Sequence, residues 1–111
     1  NRDYEYDSAT IEHVLPENPS NSWDQFFPPS IQENYIYRLG NYTLLEESIN
    51  RACGDRPFGE KKIEYSKSLY AMPKRILAPE WTPTTLELRQ QEMAKWAATV
   101  WRIPYADTSS F

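Results

Sequence analysis

The chain predicts an α+β domain in which a two-stranded antiparallel ribbon is embedded among helices. Three observations carry this. Two short runs rich in strand formers lie at residues 9–14 and 41–45. Helix-starting and helix-stopping residues stand at helical spacing between and after them. A last segment repeats apolar residues at intervals of three, four and seven.

The first run places Thr10, Ile11 and Val14 close together, and Pro16 ends it because proline donates nothing to a ladder. The strand is expected to finish near His13. Residues 16–29 turn to Pro, Asn, Ser and Glu around Trp23, Phe26 and Phe27, an ordered loop pinned by buried rings. Ser30 with Glu33 has the form of a capping box, predicting a helix over 31–38 that Gly40 closes in a left-handed conformation. The second run, 41–45, pairs with the first. A short helix over 47–53 follows, closed by Gly54. After Pro57, Phe58, Lys62, Tyr65 and Leu69 share a helical face. Thr82 and Pro83 start a long helix carrying Leu86, Met93, Ala97, Val100 and Trp101, expected to end near Pro104 and leave residues 105–111 loosely held.

At 111 residues, one domain is expected, with a core at about 8–70 and a helical part at about 71–104. A chain of this size buries roughly two-thirds of its unfolded surface, enough for a core without staples. Its single Cys53 excludes an internal disulfide framework, and with one histidine it excludes a zinc site of four Cys/His ligands. Asn1 is not an initiator Met, so the chain is expected to be a piece of a longer one or a processed one. No apolar run nears the ~20 residues of a membrane span and no signal segment is present, so a cytoplasmic protein without a membrane partner is expected. Sixteen acidic residues against 12 basic ones, a net charge of −4, argue against a surface that attracts phosphate everywhere. A local basic patch is still compatible with that balance.

Chemistry concentrates first at Glu12-His13, an acid and an imidazole side by side where a strand ends. Histidine exchanges a proton near neutral pH, and a carboxylate is a hard oxygen ligand suited to Mg²⁺ or Mn²⁺. Adjacent strand residues point to opposite faces, so both serve one site only if the strand bends out there, as Pro16 permits. The plainer reading makes His13 a half-buried strand residue and Glu12 the solvent half of the alternation. The second concentration is Arg38-Leu39-Gly40-Asn41-Tyr42-Thr43-Leu44-Leu45, with Asn50 nine positions after Asn41.

Together these blocks resemble the HNH or His-Me finger nucleases, two strands and a helix around one metal ion. With Arg56-Pro57-Phe58-Gly59-Glu60-Lys61-Lys62 added, residues 8–70 look like the C-terminal nuclease domain of GmrSD-type modification-dependent restriction enzymes. The resemblance implies a ββα-metal core in which His13 is the general base, Glu12 and Asn50 hold the ion, and Asn41 braces the loop between the strands. It implies a divalent cofactor, Mg²⁺ or Mn²⁺, and DNA, modified or not, as substrate. It also implies an N-terminal nucleotide-hydrolysing sensor domain in the same protein and a role in antiviral defence. HNH domains with extra cysteine pairs hold a structural zinc; here aromatic packing would take that place.

Arg51, Arg56, Lys61 and Lys62 follow the presumed metal helix, where cations could position a phosphate backbone without reading sequence. Equally, Lys61 and Lys62 could form a solvated face paired with Glu60 and Glu64. Trp81, Trp96 and Trp101 are read as packing in preference to a base-stacking pocket. The rival functions are a non-catalytic DNA- or protein-binding module on the same fold, a nuclease acting on RNA, and a purely structural helical partner.

Overall fold

β1 (Ala9–His13) and β2 (Tyr42–Glu46) pair antiparallel, with Glu12 opposite Thr43 and His13 opposite Tyr42. The computed structural model describes the backbone of residues 7–109 and the side chains of residues 7–98. Alternation along β1 sends Thr10 and Glu12 to one face and Ile11 and His13 to the other. Glu12 is buried and Ile11 is exposed. The α-helices among the described residues are α1 (Pro29–Ile36), α2 (Glu47–Cys53), α3 (Phe58–Tyr65), α4 (Ala71–Lys74) and α5 (Pro83–Ser109). α2 follows β2 directly and packs on both strands and on α3. The α+β class and the ribbon are therefore as the sequence predicts.

The loop after β1 is pinned as expected, with Trp23 and Phe27 buried and the Trp23 indole N–H donating to the Asp55 carbonyl at 3.2 Å. α2 closes on Gly54, whose φ of 48° is a conformation that side chains with a Cβ rarely adopt.

Several expectations are corrected. α1 starts at Pro29 with Pro28 before it and no side-chain cap, so Ser30 and Glu33 form no capping box. Proline at the first helical position already fixes φ and lacks the orphan N–H. Gly40 does not close that helix: α1 ends at Ile36, and Gly40 lies in a 3-10 turn, Leu39–Asn41, without positive φ. A Cβ there would sit 2.5 Å from the Leu86 carbonyl oxygen, so it is the close passage of α5 that requires glycine.

α3 stops at Tyr65, and Leu69 is 90 % exposed instead of sharing its buried face. The cause is Glu46, whose carboxylate accepts from the Ser68 hydroxyl at 2.7 Å and the Leu69 N–H at 2.8 Å and so draws the chain out of the helix. α4 is an element without a sequence forecast. α5 begins as expected, Thr82 Oγ1 accepting from the Thr85 N–H at 3.1 Å, but it runs through Pro104 to Ser109. Proline removes one helical bond without necessarily stopping the helix. Along its apolar stripe Leu86 is buried, Met93 half-buried and Ala97 exposed. The side chains of Val100 and Trp101 lie outside the described residues. Trp81 packs inside, whereas Trp96 is exposed and lies under the Arg75 guanidinium at 4.9 Å.

Candidate active site

The site is built where β1 gives way. The Val14 N–H donates to the Asn41 carbonyl at 2.9 Å, the last rung before the chain bends toward Pro16. From there the Asn41 side chain takes over. Its Oδ1 accepts from the Leu15 N–H at 2.8 Å and the Trp81 indole N–H at 3.0 Å, while Nδ2 donates to the carbonyls of Leu15 and Ile36, both at 2.9 Å. A primary amide has two donors and two lone pairs. All four are used on a fully buried side chain. Asn41 thus ties the post-strand loop to the end of α1 and to the segment leading into α5.

A second brace comes from α3. Lys61 is fully buried, and its ammonium donates to Glu12 Oε2 at 2.8 Å, the His13 carbonyl at 2.9 Å and the Val14 carbonyl at 3.0 Å. Tyr65 OH donates to the same Glu12 oxygen at 2.8 Å. Burial raises the Glu12 carboxyl above its ordinary value, against the charge and bond of Lys61 and the bond of Tyr65, which lower it. Burial and Glu12 together push the Tyr65 phenol well up, keeping it a donor. Burial likewise pushes the Cys53 thiol up to about 12, which leaves it inert at neutral pH.

On the other side of the bend the polar groups stay open. The His13 ring meets the rings of Tyr42 and Tyr37 edge-on, centroids 4.9 and 5.8 Å away, and its nitrogens take no hydrogen bond among the described residues. Asn50 of α2 spends its Nδ2 on Thr10 Oγ1 at 2.8 Å and the Ile11 carbonyl at 3.2 Å, which leaves Oδ1 without a bond among the described residues. A hollow of about 190 Å³ lies here, lined by Ile11, Glu12, His13, Pro16, Glu17, Asn50 and Gly54. The structure therefore brings Glu12, His13 and Asn50 to one hollow, with Asn41 behind it.

The donor set fits a hard divalent ion that keeps most of its water. Both described bonds to Glu12 fall on Oε2, so Glu12 Oε1 and Asn50 Oδ1 are the oxygens of these two side chains that could coordinate an ion. Among the described residues no three His, Cys, Asp or Glu side chains form a metal cluster. A mixed carboxylate and amide pair with waters suits Mg²⁺ or Mn²⁺ better than zinc.

The four cations divide. Arg51 is exposed and pairs with Glu47 at 3.2 Å, one turn away on α2. Arg56 is exposed two residues beyond Gly54. Lys62 reaches the Ala78 carbonyl at 2.9 Å, away from the hollow. Lys61 is corrected outright: a buried ammonium with all three donors used neither meets a phosphate nor forms a solvated face.

Sequence reasoning missed Lys61, Tyr65 and Trp81 as partners of the site, along with the hold of α5 on the Gly40 turn. Arg89 donates to the carbonyls of Gly40 at 2.8 Å and Tyr42 at 2.6 Å, and Gln90 Oε1 accepts from the Gly40 N–H at 3.1 Å. One signal was present. Phe58, Lys61 and Tyr65 stand at helical spacing, a stripe one residue away from the face read through Lys62.

Comparison with known families gives one finding. The model of the family described as GmrSD restriction endonucleases, C-terminal domain, matches residues 1–96. No curated protein and no solved structure gives a significant match.

Proposed function

The chain belongs to the family of GmrSD restriction endonucleases, C-terminal domain, and from that membership we propose that it hydrolyses DNA phosphodiester bonds, with His13 as general base in a ββα-metal site. The observation that carries the reading is the hollow shared by Glu12, His13 and Asn50 at the end of β1. The order β1, β2, α2 around it is the order such a core requires.

In this reading the imidazole of His13 takes a proton from a water. The water oxygen bonds to phosphorus and the bond from phosphorus to the leaving sugar oxygen breaks. Tyr42 and Tyr37 hold the ring edge-on without occupying its nitrogens, so a nitrogen is open to that water. Asn41 acts through the backbone by fixing the bend that carries His13. Glu12 Oε1 and Asn50 Oδ1 would hold a divalent ion, Mg²⁺ or Mn²⁺, which when bound supplies positive charge against the developing charge on the phosphate. Arg51 and Arg56 would lie along the backbone of the DNA and add affinity without sequence preference. With a net charge of −4, most of the affinity and any recognition of modified bases would come from an N-terminal sensor domain.

Supercoiled plasmid incubated with the chain and Mn²⁺ tests this. The expected result is relaxation that EDTA stops and that His13→Ala slows by about 10²- to 10⁴-fold with the circular dichroism spectrum unchanged. Cutting by folded His13→Ala at the wild-type rate would remove His13 from the mechanism.

A further inference from the structure

We propose that Lys61 is a positioning residue of the site: from α3, its buried ammonium locks the Glu12 carboxylate and the bend carrying His13 into one geometry. The inference rests on the nuclease reading above and adds a residue that touches neither water nor substrate.

Three observations carry it. First, the ammonium is saturated, its three donors meeting Glu12 Oε2 and the carbonyls of His13 and Val14 at 2.8, 2.9 and 3.0 Å. Two of these acceptors are main-chain atoms on the segment that aims the imidazole. Second, Tyr65 OH bonds the same Glu12 oxygen at 2.8 Å. Two donors from one helix face on one oxygen fix the rotation of the carboxylate, so Oε1 alone is free to be presented to the hollow. Third, the side chain has no access to solvent, which excludes the phosphate contact that an exposed lysine at this place would make.

Stability alone gives no reason for the pair. Burying two ions costs about as much as their attraction returns, and an apolar pair of similar volume would serve the core as well. Three directed bonds at one bend supply geometry that apolar packing does not. The neighbouring Lys62 makes the contrast, since its ammonium meets the Ala78 carbonyl and the Phe58 ring, neither of which lines the hollow.

The test uses Lys61→Met and Tyr65→Phe, with three readouts: affinity for a DNA duplex without metal, cutting rate with saturating Mn²⁺ and DNA, and the proton NMR signals of His13. That residue is the only histidine of the chain, so its imidazole signals are unambiguous. Lys61→Met is expected to cut about 10- to 100-fold more slowly, with unchanged DNA affinity and displaced imidazole signals. Tyr65→Phe is expected to move rate and signals the same way by less. Loss of DNA affinity with an unchanged rate on bound DNA would make Lys61 a phosphate anchor and overturn the proposal. A folded Lys61→Met with wild-type rate and imidazole signals would overturn it too. If Lys61→Met does not fold, Tyr65→Phe decides by the same criteria. Should the wild-type chain cut no DNA, the nuclease reading fails, and the imidazole signals still decide whether Lys61 positions His13.

Discussion

The two sides of the bend after β1 use the same kinds of side chain in opposite ways. On the inner side Asn41 and Lys61 use every polar site they have, the amide donating two bonds and accepting two, the ammonium donating three. On the outer side Asn50 spends only its nitrogen, Glu12 only one oxygen, and His13 neither ring nitrogen among the described residues. Buried polar groups must be paired, because an unpaired one costs about 1–3 kcal/mol. Groups that are to meet water, an ion or a substrate must not be. The contrast separates what holds the site from what works in it, and it does so among residues of identical type, Asn41 against Asn50.

That separation can be broken by substitution, and the inner side should show the largest effects on stability. Lys61→Met leaves the Glu12 carboxylate buried without its counter-charge, so a loss of about 3–5 kcal/mol is expected in urea unfolding. A loss under 1 kcal/mol would mean that Glu12 finds solvent without help. Asn41→Ala orphans the N–H and carbonyl of Leu15, the carbonyl of Ile36 and the Trp81 indole, and about 3 kcal/mol should go with them. Activity should fall with it through loss of the bend. An equally stable, equally active Asn41→Ala would refute the bracing role.

On the outer side the order reverses. Asn50→Ala gives up two bonds at the edge of the hollow and should cost only about 1 kcal/mol, yet it should abolish Mn²⁺-dependent cutting. Cutting that survives would take Asn50 out of the ion's ligand set. Arg56→Ala should leave stability alone, weaken DNA binding several-fold and lower the slope of log affinity against log salt by about 1. An unchanged slope would make Arg56 a bystander.

The smallest effect concerns Glu46. Burial alone would raise its carboxyl, but the Leu69 N–H and the Ser68 hydroxyl outweigh burial and hold it below the ordinary value of 4.5. A carboxyl depressed in the folded state stabilises the fold fully above its unfolded pKa, and this contribution fades as pH falls through the lower folded pKa. The stability gap between wild type and Glu46→Gln should therefore be constant above the ordinary carboxyl value of 4.5 and close as pH falls through the lower folded pKa. A gap that widens in acid would contradict the assigned bonds.

Local signals made the ribbon, α2 and the start of α5 legible, since β-branched runs, Gly54 and Thr82-Pro83 act within a few residues. The chain gathering at the site was legible only as far as types and order reveal it. That Glu12 is buried, and not the solvent half of an alternation, depends on a lysine 49 positions away. No local pattern displays such a pairing. The face of α3 was misread by one residue because Lys62 and Lys61 look alike in sequence and differ only in what stands opposite. Gly40 was read as a helix stop when the constraint on it comes from Leu86 and Gln90, on a helix far along the chain. For Glu12, Leu69 and Gly40 the decisive partner was distant, whereas the capping box failed locally, at Pro29.

In the proposed reading the hollow lined by Glu12, His13 and Asn50 would hold one divalent ion. Mn²⁺ broadens proton signals steeply with proximity, and His13 provides the chain's only imidazole signals. Adding Mn²⁺ in small steps to the wild-type chain should broaden those signals before others, and Asn50→Ala should remove the effect. Imidazole signals that stay sharp while Mn²⁺ broadens residues elsewhere, or while nothing broadens at all, would contradict the account.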